Sequence, residues 1–252
     1  MEHHFKKSSR LEPKYCPLKR YSASVLFVCI LLSLFMCNAT YGQTKDIQNQ
    51  DTTWITLFNG TDLSGWRGYN KDSVTSNWGM VSNELRANGQ KGDLIHQMRF
   101  KDFEVVFEWK VKKGGNSGFY FHVNEGRQFT EIWRTGIEMQ LMDDCNNWLG
   151  KNPLTATGSL YNLYPTAKAA GKKAGEWNHS RIKVFEGKVE YWINGCLVNQ
   201  FEMWTKVWYN DRNNSIHNAE RKPSWGEFGS GHFALQDEGF PVTFKNIRAR
   251  HL

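Results

Sequence analysis

The stretch RIKVFEGKVEYWINGCLVNQF, residues 181–201, decides the fold. Three runs in which apolar and polar residues alternate, 181–185, 189–193 and 196–201, are separated by Glu186-Gly187 and by Asn194-Gly195. Alternation with period two marks a strand with one buried face, and an Asn-Gly link suits a type I′ hairpin turn. The stretch therefore predicts a three-strand antiparallel meander. Outward from it the same rhythm recurs at 103–109, 117–123, 136–142, 232–236 and 242–250, with Gly, Asn and Asp between the runs. No long helical period interrupts it and no internal repeat appears. About a dozen short strands with few helices predict an all-β fold, and a two-sheet jelly-roll sandwich hides most strand edges. Eleven tryptophans all follow residue 53, and most are expected in the core.

The formal charge of +7 is concentrated at the start. Residues 1–42 hold Lys6, Lys7, Arg10, Lys14, Lys19 and Arg20 against two acids, which leaves a mild excess of +3 for the rest. No Lys/Arg block remains, so a phosphate-backbone partner is not indicated and no nucleic acid is expected. The basic stretch precedes an apolar run over 25–36 and then Asn38-Ala39-Thr40-Tyr41-Gly42, which reads as a secretory signal cleaved after Gly42. Acylation at Cys37, or retention as an uncleaved anchor, are the alternatives. The protein is expected to be exported to the periplasm or medium, with membrane contact only through such an anchor. Residues 43–53 read as a polar linker and 54–252 as one jelly-roll domain. Cys145 and Cys196 are the cysteines beyond the leader; one disulfide is possible, and no Cys/His spacing suggests zinc.

Period two places Glu138 and Gln140 of Gly136-Ile137-Glu138-Met139-Gln140-Leu141-Met142-Asp143 on one sheet face, opposite Ile137, Met139 and Leu141. The apolar set belongs to the core, so Glu138 and Gln140 face outward, and a bulge near Met142 would bring Asp143 beside them. This row resembles the Glu-x-Asp-x-x-Glu strand of laminarinase-type jelly-roll glycosidases, with Gln140 at the middle acid. In the preceding run, Tyr120 and His122 share a face, and His122 is expected within reach of Glu138, which would orient the imidazole and shift its pKa towards neutrality. His96, His179, His217 and His232 show no such grouping and read as structural or surface residues. Gln236 and Asp237 could bind sugar hydroxyls. Gln236 and Asp237 are also candidate ligands for a hard cation such as calcium. Trp133, Tyr161 and Trp225 are candidate stacking platforms. Two segments, 143–165 and 202–230, break the strand rhythm and are rich in Asn, Gly and aromatics, as functional loops often are.

Leu57-Phe58-Asn59-Gly60-Thr61-Asp62-Leu63-Ser64-Gly65-Trp66, Gly115-Asn116-Ser117-Gly118, residues 136–144, Ala174-Gly175-Glu176-Trp177-Asn178, residues 189–198 and Leu235-Gln236-Asp237 occur in this order. Over residues 54–252 the chain thereby resembles the 3-keto-disaccharide hydrolase family. The resemblance implies a concanavalin A-like lectin/glucanase sandwich, export, and cleavage of glycosides after a partner sugar 3-oxidoreductase has made the 3-keto sugar. A C3 ketone acidifies the C2 hydrogen, so a base can remove it and the C1 oxygen can leave by β-elimination, with water adding back. Such a site needs a base at C2, a donor or cation at the keto oxygen and an acid at the leaving oxygen. On this basis Glu138 or His122 is the base, Asp143 the partner acid or a cation ligand, and Gln140 and Asn116 clamp hydroxyl and carbonyl groups. The segment 202–230 would cover one end of the groove. Family members often end in Asp-His-Gly, whereas Asp237 is followed here by Glu238. Two other readings use the same residues: a non-catalytic carbohydrate-binding module, and a conventional two-carboxylate glycosidase.

Overall fold

The structure, a computed structural model, describes residues 53–252. The expected leader over 1–42 and the linker up to residue 52 lie outside the described residues. In chain order the strands are β1 (Ile55–Phe58), β2 (Trp66–Gly68), β3 (Trp78–Val81), β4 (Glu84–Ala87), β5 (Leu94–Phe100), β6 (Phe103–Val111) and β7 (Asn116–Val123). They continue as β8 (Ile137–Met142), β9 (Asn178–Phe185), β10 (Lys188–Ile193), β11 (Cys196–Glu202), β12 (Gly231–Leu235) and β13 (Val242–His251). The α-helix α1 (Lys206–Asn213) and the 3-10 turns Ile132–Arg134 and Trp148–Lys151 interrupt the strands.

The strands form the expected two-sheet jelly-roll sandwich. The larger sheet runs β11-β10-β9-β6-β13-β4-β3, with β1 also on β13, and the smaller runs β2-β5-β12-β7-β8. Residues 181–201 form the predicted meander. Both links are two-residue turns with positive φ, 49° and 82° at Glu186-Gly187 and 49° and 79° at Asn194-Gly195, the backbone a type I′ turn requires. Phe185 pairs with Lys188 and Ile193 with Cys196.

The core lies between the sheets because the apolar alternates of each meet there. Val105, Phe107 and Trp109 of β6 share one buried cluster with Phe119 and Phe121 of β7 and with Ile137, Met139 and Leu141 of β8. The Phe107 and Phe119 rings stack across the sandwich at 4.2 Å. Each such side chain stabilises the fold by roughly 1.5–3 kcal/mol through burial.

One expectation, that most tryptophans lie in the core, is corrected. Five tryptophans are buried, Trp66, Trp78, Trp109, Trp208 and Trp225. Trp54, Trp177 and Trp192 lie instead on the larger sheet against cations: Arg248 and Arg250 over Trp54, Lys110 and Lys245 over Trp177, and Arg181 over Trp192. Cation–π contact gives an indole a partner without a place in the core. Cys145 is exposed and Cys196 buried, and no disulfide joins them.

Candidate active site

Strands β7 and β8 pair in unbroken register from Asn116↔Met142 to Phe121↔Ile137. With Ile137, Met139 and Leu141 in the core, the period-two rule turns Glu138 and Gln140 to the opposite face. Tyr120 stands directly across from Glu138, and Gly118 across from Gln140. A Cβ on Gly118 would lie 2.4 Å from Glu138 Oε1 and 2.7 Å from Tyr120 Cε2, so the missing side chain makes the space for the carboxyl. On the far side of β7, Gln236 donates its backbone N–H to Gly118 at 3.0 Å. Its side-chain amide donates to the Tyr120 hydroxyl at 3.2 Å, and its backbone carbonyl accepts from Ser117 Oγ at 2.8 Å. The Gln140 amide donates to Asn116 Oδ1. The result is a floor of one carboxyl, one phenol and three amides.

The two irregular segments build the walls. Residues 157–159 follow the free edge of β8, with Gly158 N–H donating to Gln140 O at 2.8 Å and Gln140 N–H to Ser159 O at 3.1 Å. This brings Tyr161 to the cavity. In the second segment Thr205 caps α1 by accepting from Trp208 N–H at 3.1 Å. The buried Arg212 guanidinium then gathers the following loop, donating to the carbonyls of His217 at 3.2 Å, Lys222 at 2.9 Å and Pro223 at 3.0 Å and pairing with Glu227. Trp225 stacks on Trp208 at 5.4 Å and on His217 at 4.0 Å.

Together these elements enclose about 250 Å³. Glu138, Tyr120, Gln140, Asn116 and Gln236 form the floor, Trp133, Tyr161, Leu160, Trp225, His217 and Lys222 the walls, and Glu238 stands at the mouth. Burial dominates the titration of Glu138 and pushes its pKa up to about 8; the Tyr120 hydrogen bond and Lys222 oppose the rise, and the charges of Glu238 and Asp93 add to it. Burial likewise pushes Asp93, whose Oδ1 accepts from Asp237 N–H at 3.1 Å, up to about 7.

His122 is not beside Glu138. Phe121 and His122 together oppose Phe233 of β12, a bulge between the pairs His232↔Val123 and Ala234↔Tyr120. His122 takes a φ of 53° there. The bulge inverts the alternation, so Val123 joins Tyr120 on the cavity side while His122 packs among Phe121, Phe103 and Trp204. Its Nε2 donates to Lys101 O at 2.9 Å, its Nδ1 has no partner among the described residues, and burial lowers its pKa to about 4. Asp143 is also elsewhere, because no bulge forms at Met142. Its carboxylate holds the next turn, accepting from Gly114 N–H at 2.9 Å, Asn146 Nδ2 at 2.7 Å and Cys145 N–H at 3.3 Å.

Asp237 caps a turn too, accepting from Asn77 Nδ2 at 3.0 Å and Gly239 N–H at 3.1 Å. N–H donors thus point at both aspartates considered for a cation. Among the described residues no group of three or more His, Cys, Asp or Glu is arranged to hold a metal ion.

Sequence patterning missed His217 and Lys222. Neither lies on a strand or helix, so no periodicity marks it; only the composition of the 202–230 segment pointed to their region. His96, His179 and His232 lie outside the cavity.

Residues 53–250 match the family described as the 3-keto-alpha-glucoside-1,2-lyase-like domain. The 3-keto-disaccharide hydrolase of Bacteroides thetaiotaomicron is 34% identical, covering 79% of this chain and 78% of that protein. Two solved structures from Parabacteroides distasonis, each provisionally described as a glycosyl hydrolase, are similar in fold. One has a TM-score of 0.74 at 30% identity, covering 79% of this chain and 94% of the other. The second has a TM-score of 0.65 at 26% identity, covering 79% and 100%.

Proposed function

We propose, for a chain that belongs to the 3-keto-alpha-glucoside-1,2-lyase-like family, that the cavity cleaves 3-keto glycosides with Glu138 as the base that removes the C2 proton. The protein is an enzyme of the glycoside hydrolase class. The observation that carries the finer reading is Glu138 itself: one desolvated carboxyl on the floor, its pKa pushed up to about 8, with an amide, Gln140, as its neighbour. A nucleophilic carboxylate must stay ionised, which calls for a low pKa. A base for a carbon acid gains strength from a raised one.

In this reaction the Glu138 carboxylate takes the C2 proton, and the C2–H electron pair becomes the C2=C3 bond of an enolate with charge on the C3 oxygen. The enolate re-forms the C3 ketone as a C1=C2 bond forms and the C1–O bond breaks. The leaving oxygen keeps that bond's pair and takes a proton at the mouth, where Glu238 stands. Water then adds across C1=C2, hydroxyl to C1 and proton to C2, so the balance is 3-keto glycoside plus water giving 3-keto sugar plus alcohol. Gln140, Asn116 and Gln236 fix the ring hydroxyls, and Trp133 and Tyr161 cover its faces. The substrate must come from an enzyme that oxidises C3 of a sugar. The basic and apolar pattern of residues 1–42 supports work outside the cytoplasm.

The test is turnover of a chromogenic glucoside and of its 3-keto derivative side by side. The proposal expects cleavage of the keto substrate alone, lost in Glu138→Gln. Equal cleavage of the plain glucoside would favour a two-carboxylate glycosidase, and tight binding of both without turnover a carbohydrate-binding module.

A further inference from the structure

We infer that Lys222 is a catalytic residue, its ammonium taking the charge that develops on the C3 oxygen, and that His217 positions it. The inference rests on the reaction proposed above, which requires a donor at that oxygen.

The tautomer of His217 is set by its surroundings. Its Nε2 lies 2.7 Å from the Tyr161 carbonyl, which can only accept, so Nε2 carries the hydrogen. Burial holds the ring's pKa down to about 4, with the Lys222 charge adding to the effect. The neutral ring therefore presents Nδ1 as an acceptor, and Lys222 Nζ donates to it at 3.3 Å. The imidazole cannot swing away, because it is stacked on Trp225 at 4.0 Å. The main chain of both residues is held by Arg212.

Lys222 Nζ also lies 4.8 Å above the Trp133 ring. Among the described residues it forms no ion pair with a carboxylate. A partly buried ammonium without such a contact loses hydration, which lowers its pKa, and the charge of Glu138 on the cavity floor opposes that lowering. One N–H is committed to His217, and the remaining N–H bonds belong to a cation that lines the cavity holding Glu138. A substrate oxygen that gains negative charge supplies the missing partner in the transition state, where a fixed donor has its largest effect.

The test uses Lys222→Met, which keeps the apolar stem, with Lys222→Ala, His217→Phe, which keeps the stacking, and the double variant Lys222→Met/His217→Phe. Melting temperatures establish that each is folded. Loss of one such donor costs about 10²–10³-fold in kcat, so Lys222→Met should lose that much with KM changed little. Short primary alkylammonium ions should restore part of the Lys222→Ala rate saturably. His217→Phe should lower kcat in the lysine background and have no further effect in Lys222→Met, because it acts through the ammonium.

A Lys222→Met enzyme with wild-type kcat and a raised KM would overturn the inference. So would an undiminished His217→Phe effect in the double variant, or borohydride trapping of the sugar on Lys222, which would make the group a covalent amine. If the wild type turns over no 3-keto glycoside, the underlying reaction has failed. If it does and Lys222→Met matches it, only the role of Lys222 has.

Discussion

Tyr120 and Glu138 are directly opposed across β7 and β8, and both side chains occupy the space that a Cβ on Gly118 would fill. Gly118→Ala tests that relationship. The clashing atoms are the ends of side chains rather than backbone, so the fold should survive with a small fall in melting temperature. The carboxyl must move, however, and a displacement of about 1 Å can cost about 10²-fold in rate. The expected result is a large loss of kcat/KM on a 3-keto glycoside with the melting temperature lowered by a few degrees. An alanine variant of full activity would show that the carboxyl is not held in a working position.

Glu138 titrates high in the fold, at about 8 against an ordinary 4.5. The folded state therefore holds its proton more tightly than the unfolded chain does. That stabilisation is fully present below pH 4.5 and is lost as the pH rises through about 8. Glu138→Gln removes the effect, so the variant should gain on the wild type between pH 5 and pH 8 by up to about 1.4 kcal/mol per pH unit and then keep a constant lead. Denaturant unfolding at four or five pH values reads this directly; parallel curves would mean that the carboxyl is solvated. As a base, the same group should make wild-type kcat/KM rise with pH through about 8.

His122→Phe should leave kcat/KM within about threefold of the wild type, because the ring packs among Phe103, Phe121 and Trp204 rather than in the cavity. The change forfeits one hydrogen bond to Lys101, worth about 1 kcal/mol, and removes an Nδ1 that is buried without a partner among the described residues. Loss of activity in a protein of unchanged stability would return His122 to the list of bases.

Arg212 governs the wall that carries His217, Lys222 and Trp225. Arg212→Leu leaves three carbonyls without their donor, at about 1–3 kcal/mol for each that stays buried. It should lower the melting temperature and expose the 214–227 loop to limited proteolysis before the rest of the domain. Cleavage elsewhere first, with this loop intact, would contradict the role.

The strands were legible because their signals are local. The Asn194-Gly195 turn needs only its own backbone, and the alternation of Ile137, Met139 and Leu141 places Glu138 and Gln140 without knowledge of any partner strand. His122 fails for the opposite reason. Its bulge exists only because β12 spends one residue, Phe233, where β7 spends two, and neither run reveals that mismatch by itself. Asp143 is not legible in the same way, because an acid after a strand suits a turn cap as well as a site, and the deciding donors come from Gly114 and Asn146. His217 and Lys222 depend on Arg212, several residues upstream on a helix that the sequence did not announce.

The central claim is that Glu138 removes the C2 proton, and the most direct measurement is deuterium at C2 of the released sugar after brief turnover of a 3-keto glycoside in D₂O. Authentic 3-keto sugar carried through alone gives the background exchange. The account predicts one deuteron at C2 for each glycosidic bond cleaved, well above that background, with both cleavage and labelling lost in Glu138→Gln. Rapid cleavage with C2 labelled only at the background rate would contradict it.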